Sequence, residues 1–115
     1  MNVKSHRSLL KVIHHAEKIL SYSTSTVEWW NDDKSLEAIV FNLAQIGEWV
    51  KFVEDSVQNK YEQVNWAAMR GLRNRIIHDY DYINPLVIRG IIDKDLPKLV
   101  LDLQHILISE SISEA

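Results

Sequence analysis

Three long segments with apolar residues at helical spacing constrain the fold more than any other feature. Apolar side chains recur every three or four residues in 4–22, in 33–58 and in 96–109. That spacing is typical of amphipathic helices that bury one face. With only three glycines and two prolines in the chain, few positions can interrupt such helices. The sequence therefore predicts an all-α fold.

Capping and turn-forming residues predict where the other helices begin and end. Asp32 or Asp33 can cap the second helix, and Asn65 can cap a third helix that runs to about residue 82. Asn84 followed by Pro85 begins a short fourth helix, and the Pro97 region restarts the chain as a fifth. We expect one domain spanning 1–115, an antiparallel bundle of four to five helices, with a frayed tail at 110–115.

Length and composition narrow the environment in which the chain works. A chain of 115 residues with 46% hydrophobic content can bury one core without disulfides, and it contains no cysteine. No apolar run approaches the ~18 residues of a membrane span, and no signal peptide is evident. We expect a cytoplasmic protein without membrane contact. Because the net charge is −3, nucleic acid would have to bind at a local basic patch.

Two positions outside the polar centre of the chain carry alternatives. Gly47 lies inside the second helix, where glycine costs ~1 kcal/mol relative to alanine, so we expect another helix to approach closely there. Glu48 is either an ordinary exposed charge or the partner of an arginine in 69–82, from its own or another subunit. Trp29 and Trp30 either cover the core or lie in a subunit contact.

The segment 69–82 combines a buried stripe with an unusual set of polar residues. On a helix, the stripe would consist of Met69, Leu72, Ile76 and Tyr80. Arg73 would lie at its edge, and His78 would lie opposite, one turn after Asn74. The ordinary interpretation is a surface histidine, with the arginines paired to Asp79, Asp81 or Glu62. The alternative is a functional site that includes the cluster of Arg70, Arg73 and Arg75.

The spacing Arg73-x4-His78-x-Tyr80 resembles the signature of HEPN-domain proteins, and in particular of HepT-like toxins. The sequence Ile-Gly-Glu at 46–48 is similar to one that recurs in the family. Trp66 resembles a tryptophan that commonly precedes the motif in the family. Pro97 resembles a proline of the family's last helix. The resemblance extends over Val3 to Leu107.

This resemblance implies a HEPN-like helical bundle and a homodimer whose two motif helices face one cleft. It also implies the toxin of a type II/VII-like toxin–antitoxin system, with a minimal nucleotidyltransferase as the antitoxin. In such proteins the residue matching Tyr80 receives AMP. That role conflicts with a buried Tyr80 unless the helix ends or bends near His78, which Asp79 and Asp81 make plausible. Tyr82 is a rival acceptor.

If the site cuts RNA, each residue type has a role. His78, with an ordinary pKa of ~6.5, can take the proton of a 2′-hydroxyl, and Arg73 can stabilise charge on the phosphate. Asn74 can orient the imidazole and Arg75 can support it. We expect no metal and no cofactor, since no cluster has ligand spacing. The alternatives are a non-catalytic nucleotide-binding or accessory subunit of a nucleotidyltransferase, or a helical scaffold.

Overall fold

The computed structural model describes residues 1–78 and 82–114, and at 77, 78, 82 and 112–114 only the backbone is considered. The regular secondary structure of these residues is helical apart from two antiparallel strands of two residues each, which confirms the predicted all-α bundle. The helices are α1 Val3–Ser25, α2 Asp33–Val50, α3 Asp55–Lys60, α4 Trp66–Arg70, α5 Leu72–Ile76, α6 Pro85–Gly90 and α7 Leu96–Glu114. The strands are β1 Ile77–His78 and β2 Tyr82–Ile83. A 3₁₀ turn spans Trp29–Asn31, and a π-helical segment spans Ile91–Asp95.

The core lies where α1 packs against α2 and α7. Each of these helices contributes fully buried aliphatic side chains, such as Leu9, Leu43 and Ile106. The predicted cap of α2 is confirmed, since the Asp32 carboxylate accepts a hydrogen bond from the Ser35 amide at 2.9 Å. No helix in the described part of the chain is long and apolar enough to cross a membrane.

The second helix ends at Val50, so the predicted continuation to residue 58 is wrong. The backbone of Glu54 is extended, and its amide donates to the buried hydroxyl of Ser5 at 2.8 Å. The Glu54 carboxylate accepts from the Asn2 amide at 2.7 Å. These contacts tie the break to the start of α1, while Val53 and Val57 on either side of it remain in the core.

Gly47 allows α4 to approach α2 closely, as predicted. A Cβ atom at this position would lie 3.1 Å from the backbone oxygen of Met69 and 3.5 Å from that of Arg70. Because backbone atoms of α4 occupy this space, glycine sets the distance between the two helices. The start of the 69–82 segment is thereby held against α2.

The third predicted helix begins as expected but ends early. Asn65 caps α4 by accepting from the Ala68 amide at 3.0 Å, and the helix is interrupted at Gly71 and ends at Ile76 rather than near residue 82. The Ile76 carbonyl instead accepts from the Asn84 amide at 3.1 Å. Helical geometry is disfavoured for a residue that precedes a proline, as Asn84 does. The extended Asn84 therefore brings β2 alongside β1.

Helices α6 and α7 are joined by the π-helical segment, which is a wider turn, and α7 begins at Leu96, as predicted. The Asn84 cap and Pro85 at the first helical position are confirmed. The Leu96 amide donates to the Ile91 carbonyl, five residues back. Because Pro97 has no amide hydrogen, the ordinary helical hydrogen bond is missing here, and the wider turn accommodates the gap.

Helix α7 continues beyond its predicted end at Ser109, because Glu110 is anchored. The Glu110 side chain is buried, and it accepts from the Tyr61 hydroxyl at 2.8 Å and from Lys60 Nζ at 2.9 Å. The amino group of Met1 lies 3.6 Å from its other oxygen. The hydrogen bond from Lys60, followed by that from Tyr61, lowers the pKa of the Glu110 carboxyl. Glu110 is therefore not part of a frayed tail.

The adjacent tryptophans cover the core of this chain. Trp29 is buried, and Trp30 is partly buried with the Arg89 guanidinium 4.4 Å from its ring centroid. The two rings meet edge to face, with centroids 5.6 Å apart. The first of the two alternatives is thus the one observed, and these residues no longer argue for a second subunit.

Candidate nucleic-acid site

Helix α5 presents a polar face because its apolar face is fixed against the core. Met69 and Leu72 are buried and Ile76 is fully buried, as the predicted stripe requires. The other face of α5 carries Arg73, Asn74 and Arg75, all exposed. The fourth predicted member of the stripe, Tyr80, lies outside the described residues.

His78 lies on β1, two residues after the helix ends. The prediction that Asn74 and His78 are neighbours on one helical face is therefore wrong, because the i, i+4 relation requires a continuous helix. The backbone of His78 is instead held opposite Tyr82 in the antiparallel pair. The junction between α5 and β1 thus sets the position of the His78 backbone relative to α5. The joint role of Arg73 and His78 stays a prediction.

The early end of the helix also changes the interpretation of the residues that follow. Tyr80, Asp79 and Asp81 lie outside the described residues. A buried Tyr80 would require the helix to continue to that position. Because α5 ends at Ile76, helical spacing no longer predicts that Tyr80 is buried. The proposed modification of Tyr80 therefore no longer conflicts with a helical prediction.

The three arginines of the cluster differ in their partners. Arg70 donates to Gln58 Oε1 at 2.7 Å, and Arg75 lies 3.3 Å from the Asp95 carboxylate. In the part of the chain that the structure describes, the exposed guanidinium of Arg73 has no hydrogen-bond or ion-pair partner. An unpaired guanidinium has all its donors available for a phosphate. Arg73 is therefore the arginine of the cluster whose donors are most available to a phosphate.

Sequence reasoning missed both partners of the flanking arginines. Asp95 is twenty residues from Arg75 and is brought close by the π-helical segment, so no local pattern points to it. Glu62, one of the predicted partners, forms no hydrogen bond or ion pair with these arginines within the described ranges. Glu48 pairs with Lys51 at 2.9 Å, which makes it an ordinary exposed charge within this subunit.

A groove of about 540 Å³ lies beside the arginine cluster, between α4–α5 and α7. Its floor is apolar, with Leu72 and Leu99 among its lining residues, and Arg75 and Lys98 lie on its charged rim. Arg73 does not line it, because it projects from a different face of α5. Among the residues described, no three His, Asp or Glu side chains gather in a way that could hold a metal ion.

An all-α bundle whose sequence carries Arg-x4-His-x-Tyr, with the arginine on α5 and the histidine on β1, is of the HEPN class. A family model described as "Ribonuclease HepT-like" matches residues 12–106. The chain belongs to the HepT-like ribonuclease family, which confirms the resemblance seen in its sequence.

Individual relatives agree with this assignment. A Methanocaldococcus jannaschii protein named "Putative RNase MJ0127" is 30% identical over 101 residues, covering 86% of this chain and 84% of the relative. A Thermococcus cleftensis protein named "Probable ribonuclease HepT" is 24% identical over 99 residues, covering 84% of this chain and 90% of the relative. No solved structure matches the chain significantly.

Proposed function

We propose that this protein is a metal-independent endoribonuclease, with Arg73 and His78 as its catalytic residues. The observation that carries the proposal is the state of Arg73. It is exposed, it has no partner among the described residues, and it lies five residues before His78 in a HepT-like chain. The other two arginines of the cluster are paired, Arg70 with Gln58 and Arg75 with Asp95.

The proposed reaction uses the 2′-hydroxyl that distinguishes RNA from DNA. His78 removes the proton of this hydroxyl, and the oxygen attacks the adjacent phosphorus. The bond to the 5′-oxygen breaks, and that oxygen takes up a proton. The products are a 2′,3′-cyclic phosphate and a 5′-hydroxyl. Arg73 stabilises the charge that grows on the phosphate oxygens during attack.

Supporting roles fall to the rest of the polar face. Asn74 is exposed beside Arg73 and can donate to the same phosphate or orient the imidazole. Arg75 adds positive potential, and its contact with Asp95 holds the α5 helix to the π-helical segment. Neither the role of Asn74 nor that of Arg75 requires a metal ion.

The second proton transfer requires another titratable group. One His78 per chain acts as the base, so we infer that a homodimer supplies a second His78 as the acid. Exposed apolar side chains that a second copy could cover include Phe41, Leu101 and Ile108, each at least 60% exposed. A monomer that cleaves RNA as fast as the dimer would contradict this arrangement.

We propose that the nuclease is the toxin of a toxin–antitoxin pair, silenced by a nucleotidyltransferase. The phenolic oxygen of Tyr80 attacks the α-phosphorus of ATP, pyrophosphate leaves, and AMP remains attached through a phosphodiester. The added negative charge would pair with Arg73, since arginine–phosphate contacts are strong and often bidentate. The adenine would occupy space that the RNA needs. Intact-mass measurements on Tyr80→Phe and Tyr82→Phe after incubation with ATP and the antitoxin distinguish the two acceptors.

The test of the nuclease function compares two substrates and two proteins. Purified wild-type protein should cleave an RNA oligonucleotide and fail at a position that carries a single 2′-deoxyribose. His78→Ala should cleave neither, with an unchanged circular-dichroism spectrum and melting temperature. Equal cleavage at the deoxy position would contradict the mechanism. No cleavage by wild-type protein would favour the non-catalytic accessory subunit.

A further inference from the structure

Helix α1 carries a row of positive side chains along its solvent side. Lys4, Arg7 and Lys11 follow one another at spacings of three and four residues, which places them one above the other. The helix holds four of the thirteen lysines and arginines but one of the sixteen acidic residues. In a chain of net charge −3, this is a concentrated positive surface.

Two aromatic rings lie beneath these cations, that of Trp49 in the last turn of α2 and that of Phe52 just after the helix. Lys4 Nζ is 4.4 Å from the ring centroid of Phe52, and Arg7 Cζ and Lys11 Nζ are each 5.8 Å from that of Trp49. The two rings meet edge to face with centroids 6.0 Å apart. Phe52 is 45% exposed and Trp49 is partly buried, so ring surface remains open to solvent.

The cations of this row lack acidic partners in the described part of the chain. Within residues 1–78 and 82–114, no ion pair joins Lys4, Arg7 or Lys11 to a carboxylate. Some lysines elsewhere do have such partners, since Lys60 pairs with Glu110 and Lys98 with Asp102. The row is therefore positive charge that the fold itself does not neutralise.

We propose that single-stranded RNA binds to a basic–aromatic face formed by Lys4, Arg7, Lys11, Trp49 and Phe52. The cations would contact successive phosphates, and unstacked bases would stack on Trp49 and Phe52. Cations interleaved with aromatic rings match a single strand better than a duplex, whose bases are already stacked. The choice of RNA rests on the proposed ribonuclease function.

The position of this face relative to the polar face of α5 defines its role. Gly47 contacts α4 on one side of α2, and Trp49 is about 200° further around the same helix. The basic–aromatic face therefore lies on the side of α2 opposite α4, so at least one helix diameter, ~10 Å, separates it from the arginine cluster. It would hold RNA that flanks the cleaved bond, and so would favour longer substrates over short ones.

The test measures binding separately from cleavage. Fluorescence anisotropy follows a single-stranded 2′-O-methyl RNA of twelve nucleotides, which lacks the attacking hydroxyl. Arg7→Ala/Lys11→Ala removes two cations from the face. Lys34→Ala/Lys94→Ala removes two exposed lysines elsewhere and is the matched control. We expect at least tenfold weaker binding for the first variant and less than a twofold change for the second.

Salt dependence and stacking sharpen the result. Losing two phosphate contacts to a single strand should reduce the slope of log affinity against log salt by about 1.4. Phe52→Leu, at an exposed position, should weaken binding several-fold without a change in melting temperature. Equal losses in the two double variants, or an unchanged salt slope, would overturn the proposal.

Self-association is the competing use of this surface. If sedimentation shows that Arg7→Ala/Lys11→Ala changes the oligomeric state, the face is a subunit contact and the proposal fails. The wild-type cleavage assay is independent of these outcomes. Binding with the expected pattern but no cleavage would refute the nuclease alone, and cleavage with no difference between the double variants would refute the face alone.

Discussion

Two charged side chains, those of Glu110 and Arg73, differ in their burial and in their pairing. Glu110 is buried, and its oxygens receive a tyrosine hydroxyl, a lysine and the amino terminus. Arg73 is exposed and lacks a partner among the described residues. A buried charge is tolerated only when it is paired, whereas a charge that must bind substrate has to stay unpaired. Glu110 therefore contributes to folding, whereas Arg73 is available for the proposed contact with RNA.

The largest expected effect comes from the unpaired side. Arg73→Ala should lower the rate of RNA cleavage by about a thousandfold, because a donor to the transition state is lost. Its melting temperature should be unchanged, as is usual for an exposed site. Cleavage rates and thermal melts of the same preparation provide the measurement. Arg70→Ala, which breaks a contact with Gln58, is the control and should lose much less activity.

The paired side should show the reverse pattern. Glu110→Ala leaves the buried hydroxyl of Tyr61 without its acceptor, so the free energy of unfolding should fall by about 1–3 kcal/mol. Urea titration measures it. Glu48→Ala breaks an exposed ion pair and should change the same quantity by less than about 0.5 kcal/mol. Equal effects would mean that burial does not distinguish the two glutamates.

Substitution of Gly47 on α2, with Gly90 on α6 as the control, tests how α2 positions the arginine cluster. Gly47→Ala puts a Cβ atom 3.1 Å from a backbone oxygen of α4, so we expect a net loss of about 1 kcal/mol and reduced cleavage. Gly90→Ala meets nothing within 4 Å and should stabilise the protein by about 0.5–1 kcal/mol. Stabilisation by both substitutions would show that α2 and α4 can separate freely.

The smallest effect concerns pH. The pKa of Glu110 is lower in the folded protein than in the unfolded chain, because Lys60 and Tyr61 donate to its charged form. Its contribution to stability is therefore complete above its ordinary pKa of ~4.3 and is lost as pH falls through the lowered value. Wild-type protein and Glu110→Gln should differ in stability at pH 6 and converge towards pH 3. A constant difference would contradict this assignment.

Features set by neighbouring residues were predictable from the sequence. The caps at Asn65 and Asn84 depend on a side chain and an amide two or three residues later. The buried stripe of α4 and α5 follows from helical spacing, and Gly47 signals close packing by its cost inside a helix. These features rely on local chemistry, which a single sequence displays directly.

Features set by distant residues were not predictable. Helix α2 ends where Glu54 reaches Ser5, and α5 ends where Ile76 meets Asn84. The partner of Arg75 is Asp95, which only the π-helical segment brings near. The expected helical relation of Asn74 to His78 failed for the same reason. The candidate residues were nevertheless identified, because their types and spacing do not depend on the helix continuing.

The most direct test of the central claim is the chemistry of the cut ends. Mass spectrometry of an RNA oligonucleotide treated with purified protein in EDTA should detect 2′,3′-cyclic phosphate and 5′-hydroxyl termini. The same reaction with His78→Ala should leave the oligonucleotide intact. Termini with a 5′-phosphate, or cleavage that stops in EDTA and returns with a divalent ion, would contradict a metal-independent attack by the 2′-hydroxyl.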